Sequence, residues 1–269
     1  MRRSVKAKLN IWLAVIAGAL VLLAVAGIVL NIIGFRYIVA DNGTKFYGKT
    51  SDGIVVSGTL VFPDGTKAKI DRTLGTIEYD SGDKYYGEFS GFYRHGKGIF
   101  TYADGTVYDG EFVNDEKNGK GFLKTPFGDT YQGDFVDGRK DGEGTFTWAD
   151  GSSYSGTWSE NKKHGSGTLK TADGTTYTGE FANDMKNGTG TAVYSNGDKY
   201  TGEFVNDMRE GTGSYIYANG ESYVGEYKND KKNGKGVYTW PAPYSRKYEG
   251  TFRDGEIFVE TEENAENEQ

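Results

Sequence analysis

The residues best equipped for chemistry are two histidines, a recurring carboxylate and a recurring base. His95 and His164 are the only histidines, and such a pair is the first suspect for general acid–base work or for a metal site. Glu88, Glu111, Asp134, Glu180, Glu203 and Glu226 form an acidic series, and two carboxylates at the right separation can hydrolyse a glycosidic bond. Arg94, Lys117, Lys140, Lys163, Lys186, Arg209 and Lys232 form a basic series. None of these makes a catalytic constellation. The histidines occupy a slot held in other repeats by Asn118, Asp141, Asn187, Glu210 and Asn233, so the slot asks only for a polar residue. Three repeats lie between them, six strands or ~29 Å, too far to share a metal or a proton. A carboxylate in every repeat makes a face, and the acidic spacing is not that of a calcium loop. Cysteine is absent, which excludes disulfides and thiolate-bound metals. No enzyme activity, metal or cofactor is expected.

What positions these residues is a ruler. The pattern Tyr-x-Gly-x-Phe starts at Tyr85, Tyr108, Tyr131, Tyr154, Tyr177, Tyr200, Tyr223 and Tyr248, with Phe89, Phe112, Phe135, Trp158, Phe181, Phe204, Tyr227 and Phe252 four residues on. The first seven starts are 23 residues apart, and the last step is 25. A period of this size marks an array of small units. The 41 glycines, 20 tyrosines, 15 phenylalanines and four tryptophans fall in fixed slots, unlike the bias of a disordered tract.

Each repeat reads as two strands. With the tyrosine at slot 0, apolar residues and glycines fall at +2 and +4, then at +11, +13, +15 and +17, the alternation of a strand whose two faces differ. In the third repeat these are Gly133, Phe135, Gly142, Gly144, Phe146 and Trp148. Asp104-Gly105, Asp150-Gly151, Asp173-Gly174, Asn196-Gly197 and Asn219-Gly220 supply the positive φ of a tight turn before the next tyrosine. Segments such as residues 114 to 119 read as the longer loop at the other end. An up-and-down meander of some sixteen strands follows, ~75 Å long before twist. Residues 41 to 84 are a worn version: Ala68 takes the tyrosine slot, and only 17 residues separate it from Tyr85.

Tyr-x-Gly-x-Phe, then Gly-x-Gly, then Asp-Gly before the next tyrosine resembles the MORN (membrane occupation and recognition nexus) repeat. Seven complete copies span residues 85 to 247, and a closing half spans 248 to 252. The resemblance implies an all-β, elongated, single-layer antiparallel array used for scaffolding, self-association or attachment near membranes, with no chemistry of its own. The family glycine at +7 is kept at Gly138; Asp115, Asp184, Asp207 and Asp230 replace it, with Asn161 and Phe92 in other copies. Asp and Asn tolerate left-handed backbone, so the turn is expected to survive.

Two candidate surfaces remain. Phe100, Tyr102, Phe146, Trp148, Tyr194, Tyr215, Tyr217, Tyr238 and Trp240 project on the side of the anchor tyrosines, and no segment is available to cover them. Either these rings fold over the glycines as core, or part of the face is a groove for a protein segment, a second array or a glycan. The basic series at +9 reads as solvated loop tips that discourage edge pairing, or as a strip for an acidic partner.

The N-terminus is of another kind. Residues 11 to 30 contain no charged side chain and at ~1.5 Å per residue can cross a bilayer. Ala24-Val25-Ala26 matches a signal-cleavage pattern, but the apolar run continues through Ile28, Val29, Leu30, Ile32 and Ile33, which favours an uncleaved span. Arg2, Arg3, Lys6 and Lys8 precede it, placing the N-terminus in the cytoplasm and the array outside. They account for four of the 31 bases, so residues from 9 onwards carry 27 against 38 acidic residues, a balance of −11. Nucleic acid is excluded as a partner, and the phosphoinositide binding suggested for some MORN proteins does not suit this charge.

The expected organisation is a basic N-terminus (1–10), a transmembrane helix (11–35), degenerate repeats (36–84), the array (85–252), and a cap with an acidic, disordered tail (253–269). The functional expectation is a membrane-anchored, non-catalytic scaffold binding a protein or a second copy, with a glycan-binding adhesion protein as the alternative.

Overall fold

The computed structural model describes residues 2 to 259. The acidic tail from residue 260 lies outside the described residues, as do the side chains of residues 2 to 14, including the four N-terminal bases and Trp12.

The described residues form one helix, α1 (Arg2–Ile32), and twenty-one antiparallel strands, the expected all-β meander behind a single helix. From Val15 to Ile33 every α1 and flanking residue is exposed, and Val15–Ile32 is long and apolar enough to cross a bilayer. The helix ends earlier than expected. Gly34 adopts φ +82°, and Phe35, expected at the end of the helix, starts the first strand. The Thr50 N–H and hydroxyl both donate to the Gly34 carbonyl, at 2.7 and 3.0 Å, and a Cβ at Gly34 would meet the Thr50 carbonyl oxygen at 2.6 Å. The helix is therefore closed directly onto the first hairpin.

The chain divides into two compact parts, meeting in sequence at Asp115 and Glu116. The first holds α1 and β1 (Phe35–Val39), β2 (Lys45–Ser51), β3 (Ile54–Val61), β4 (Lys67–Asp71), β5 (Thr76–Tyr79), β6 (Lys84–Ser90), β7 (Tyr93–Thr101) and β8 (Val107–Val113). The second holds β9 (Glu116–Lys124), β10 (Thr130–Val136), β11 (Arg139–Thr147), β12 (Ser153–Ser159), β13 (Lys162–Lys170), β14 (Thr176–Ala182) and β15 (Met185–Val193). It continues with β16 (Lys199–Val205), β17 (Met208–Ile216), β18 (Ser222–Lys228), β19 (Lys231–Trp240), β20 (Arg246–Arg253) and β21 (Glu256–Phe258). Within each part every strand pairs with its sequence neighbours. The number exceeds sixteen because the worn segment before Tyr85 forms five strands of its own and residues past Phe252 form another.

The two ends of a repeat differ in turn chemistry, and here one expectation is corrected. The segment read as a longer loop is a two-residue turn: Ser159 pairs with Lys162, leaving Glu160 and Asn161 at φ +49° and +70°. Its remaining residues belong to the following strand, bent by a bulge at the +11 glycine, for instance Gly165 at φ +60°. Slot +7 keeps its left-handed geometry without glycine: φ is +74° at Asp115, +73° at Asp184, +71° at Asp207 and +67° at Asp230. At the other end Ala149-Asp150-Gly151 closes a three-residue turn, with the Gly151 N–H donating to the Trp148 carbonyl at 3.0 Å.

The core is a comb of rings lying on glycine. Gly156 and Gly167 face each other across β12 and β13, and the Tyr154 ring covers both. Its hydroxyl donates to the Thr157 carbonyl at 3.0 Å. The slot +4 ring stands edge-on to the tyrosine on either side, Trp158 at 88° to both Tyr154 and Tyr131. Tyr85, Tyr108, Tyr131, Tyr154, Tyr200 and Tyr223 are almost fully buried.

Candidate functional site

The nine rings predicted as a binding face lie beside this comb. Phe100 is buried, and the other eight are half-buried. In the second part Tyr194, Tyr215, Tyr217, Tyr238 and Trp240 form an unbroken row with centroids 6.0, 4.5, 6.0 and 4.6 Å apart, closed by the Arg246 guanidinium 5.0 Å over Trp240. Phe146 and Trp148 make a separate pair 4.8 Å apart. In the first part Phe62, Tyr79, Phe100 and Tyr102 make a second row, at 5.9, 5.7 and 4.6 Å. Sequence reasoning missed Phe62, which lies outside the 23-residue register, and Tyr79, which stands one period before Tyr102 but in the worn segment. The signal for them was the turn: each directly precedes a Pro-Asp-Gly or Asp-Ser-Gly segment, as Tyr102 and Tyr217 precede theirs.

Two carboxylates fix this row. Tyr215 and Tyr238 donate to Asp198 and Glu221, each at 2.6 Å. Burial and then the carboxylate push both phenols well above their usual range.

The basic series is not at loop tips. All seven residues stand in strands and are half-buried, with their heads over rings. Lys140 lies 4.0 Å from the Trp158 ring, 4.6 Å from Phe146 and 5.5 Å from Tyr131. Arg209 covers Tyr227, Tyr215 and Tyr200 at 5.2, 5.3 and 5.6 Å. Lys163, Lys186 and Lys232 cover the tyrosine of their own repeat and the slot +4 ring of the next. Burial lowers the Lys140 and Lys232 pKa values, as expected for ammonium groups among rings. These bases clamp repeat to repeat.

The slot +7 acid completes the clamp. In the second part the Lys163 N–H donates to Asp184 at 2.9 Å while the Asp184 N–H donates to the Lys163 carbonyl at 3.1 Å, and Lys186 with Asp207 and Arg209 with Asp230 repeat the exchange. The slot +3 acids also serve the backbone. Glu180, Glu203 and Glu226 accept the N–H groups of Thr189, Thr212 and Lys235 beside the bulge, at 3.0, 2.9 and 3.1 Å. The Thr189 hydroxyl and then its N–H hold the Glu180 carboxyl below the usual range, and the Thr212 N–H and then its hydroxyl do the same for Glu203.

His95 stands in β7 with its Nδ1 buried and unpartnered, and His164 stands exposed in β13. Among the described residues no group of three His, Asp or Glu is placed to hold a metal.

A meander of glycine-floored hairpins, with rows of aromatic rings beside the core, defines a β-sheet repeat protein. The profile of the MORN repeat matches residues 51–67, 85–107, 108–130, 131–153, 154–176, 177–199, 200–222 and 223–242. The chain belongs to the MORN-repeat family. Solved structures similar to it include the G-box domain of the microcephaly protein CPAP, at 16% identity over 82% of this chain and 100% of that one, with a TM-score of 0.36. Another is the TCP10 domain of Danio rerio CPAP, at 14% identity over 84% and 99%, with a TM-score of 0.34. No curated protein matches the chain significantly.

Proposed function

We propose that this MORN protein is a single-pass, membrane-anchored interaction module without catalytic activity, which binds a protein segment along its aromatic row. The observation that carries this reading is the row Tyr194, Tyr215, Tyr217, Tyr238 and Trp240: five contiguous rings, half-exposed, beside a comb that already supplies the core. The glycan alternative is weaker, because Tyr215 and Tyr238 have committed their hydroxyls to Asp198 and Glu221. The exposed apolar helix supports the anchor, and the first hairpin extends it: Phe35, Tyr37, Val39 and Tyr47 are exposed on one face, Tyr37 and Tyr47 with centroids 4.7 Å apart. The basic residues before the span support an orientation with the repeats on the extracytoplasmic side.

The test is cross-linking of the full-length protein in its native membrane, with mass spectrometry of what is attached. Recurrent cross-links to one protein or between copies, lost on Trp148→Ala with Trp240→Ala, are expected. Retention on cell-wall material, lost with the same substitutions, would instead support glycan binding. Release of the protein by alkaline carbonate would remove the anchor from the reading.

A further inference from the structure

Each regular repeat lays the cation of its slot +9 over several rings, whereas among the described residues Phe62 and Tyr79 in the first part, like Tyr194 and Tyr217 in the second, have no base over them. Arg94 lies 4.7 Å over Phe100, and Lys163 reaches back 5.9 Å to Trp148, the slot +17 ring of the preceding repeat. Phe62 and Tyr79 stand just before their turns as Trp148 does, yet among the described residues no base lies over either. The cause is legible in the strands. The hairpin of β4 and β5 is cut to five and four residues, against seven and nine in β12 and β13, and its base Arg72 is turned onto Phe89, 5.9 Å away, rather than onto Phe62 or Tyr79. One hairpin earlier, Phe46 covers Gly48 and Gly58 as an anchor ring, and Val55 stands nine residues after it.

What the truncation leaves is a cleft of about 740 Å³, within the range of small-ligand sites. Phe62 and Tyr79, stacked at 5.9 Å and 18°, line it. Asp64, Asp80 and Asp83 also line it, against the single base Lys67. Two of the carboxylates are already oriented, Asp64 by Thr66 and Asp83 by Ser81 and Ala103. Among the described residues the Asp80 carboxylate and the Tyr79 hydroxyl make no hydrogen bond, and the charges acting on the Tyr79 phenol are those of Arg94, Asp115 and Asp83. Arg94, the slot +9 base of the next repeat, is held by Asp115 at 3.1 Å and turned onto Phe100 and Phe112.

We propose that this cleft takes a basic side chain, arginine or lysine, from an extended segment of a partner protein, laid against the stacked Phe62 and Tyr79 rings and the carboxylates beside them. The inference deepens the interaction-module reading and rests on it. Charge complementarity selects the occupant: stacked rings with a surplus of carboxylates suit a guanidinium or ammonium group, and the rest of the chain shows the same pairing between its own residues.

The experiment uses the full-length protein in lipid nanodiscs and fluorescein-labelled dodecapeptides of glycine, serine and either arginine or its neutral isostere citrulline, read by anisotropy. The arginine peptide is expected to bind at least about ten-fold more tightly than the citrulline peptide, and binding is expected to weaken as salt rises from about 50 to 300 mM. Asp80→Lys, at an exposed residue with no hydrogen bond to lose, and Tyr79→Leu should each weaken it at least about five-fold with the circular dichroism unchanged. Equal affinity for both peptides overturns the proposal. So does an equal loss on Asp109→Lys, at an exposed β8 residue away from the cleft, because the attraction would then be the net charge alone. Cross-linking to a partner that survives Asp80→Lys, together with no arginine preference, defeats the cleft and leaves the scaffold reading standing. Arginine-selective binding with no partner in the membrane does the reverse.

Discussion

At the scale of single residues, the fold depends on what glycine leaves out. A Cβ at Gly167 would lie 2.6 Å from Cζ of Tyr154, whereas one at Gly151 meets nothing within 4 Å and has only its φ of +86° against it. Gly167→Ala is therefore expected to cost about 3 kcal/mol by overpacking, and Gly151→Ala about 1 kcal/mol by backbone strain. Replacing Tyr154 by Leu should shrink the first penalty and leave the second unchanged, which denaturant titration of the double variants would show. Tyr154→Phe loses the bond to the Thr157 carbonyl and should cost about 1 kcal/mol. The same tyrosines set an alkaline limit. Burial pushes the Tyr85, Tyr154, Tyr177, Tyr200 and Tyr223 phenols up to about 12, while in the unfolded chain they ionise near ~10. The native state holds these protons more tightly, so its stability is full below pH ~10 and falls as pH rises towards 12. Phenolate absorbance should appear together with the loss of circular dichroism. A separate, earlier titration of these tyrosines would contradict their burial.

At the scale of the hairpin, the clamp between repeats is what the sequence under-reported. Slot +7 was legible: Asp and Asn suit left-handed backbone, and five of them adopt it. Their side-chain bonds to the neighbouring repeat were not, because residues 21 apart carry no local signal of contact. The bases at +9 pointed to loop tips because the segment around them is polar. A two-residue turn followed by a glycine bulge instead draws Lys140 or Arg209 into the strand and onto the rings. The slot +3 carboxylates read as a face, and the backbone N–H groups that hold them exist only once the bulge forms. Asp184→Ala loses the bond to Lys163 and adds strain at φ +73°, for an expected cost of about 2 kcal/mol. Asp184→Gly loses the bond alone and should cost about 1 kcal/mol, as the natural Gly138 suggests. Equal losses for both would mean that the backbone conformation contributes nothing.

At the scale of the whole molecule, the 23-residue ruler made the fold class and nearly all the strand register readable, since each repeat repeats its neighbour's contacts. It failed where the ruler is broken, at β1 to β5 and at Phe62, and it passed over Tyr79, one period before Tyr102, because the anchor tyrosine of that repeat is replaced by Ala68. Nearest-neighbour packing also predicts how the molecule responds to surgery. Removing residues 177–199, one full period, should leave a folded array with a modest drop in denaturant midpoint and m-value. Removing half that length should bring unlike strand faces together and abolish cooperative unfolding.

The junction at Gly34 has a mechanical meaning. With the carbonyl of Gly34 held twice by Thr50 and no room for a side chain, the swivel that would let a tethered domain tumble is missing. In the anchored arrangement proposed above, copies in one bilayer would present their repeats at a common tilt. An encounter would then begin with most of its orientational search already done. Five glycine and serine residues inserted between Ile33 and Phe35 would leave every contacting side chain in place, yet should reduce cross-linking to the partner. The binding strength of the array would thus depend on a joint that touches no partner.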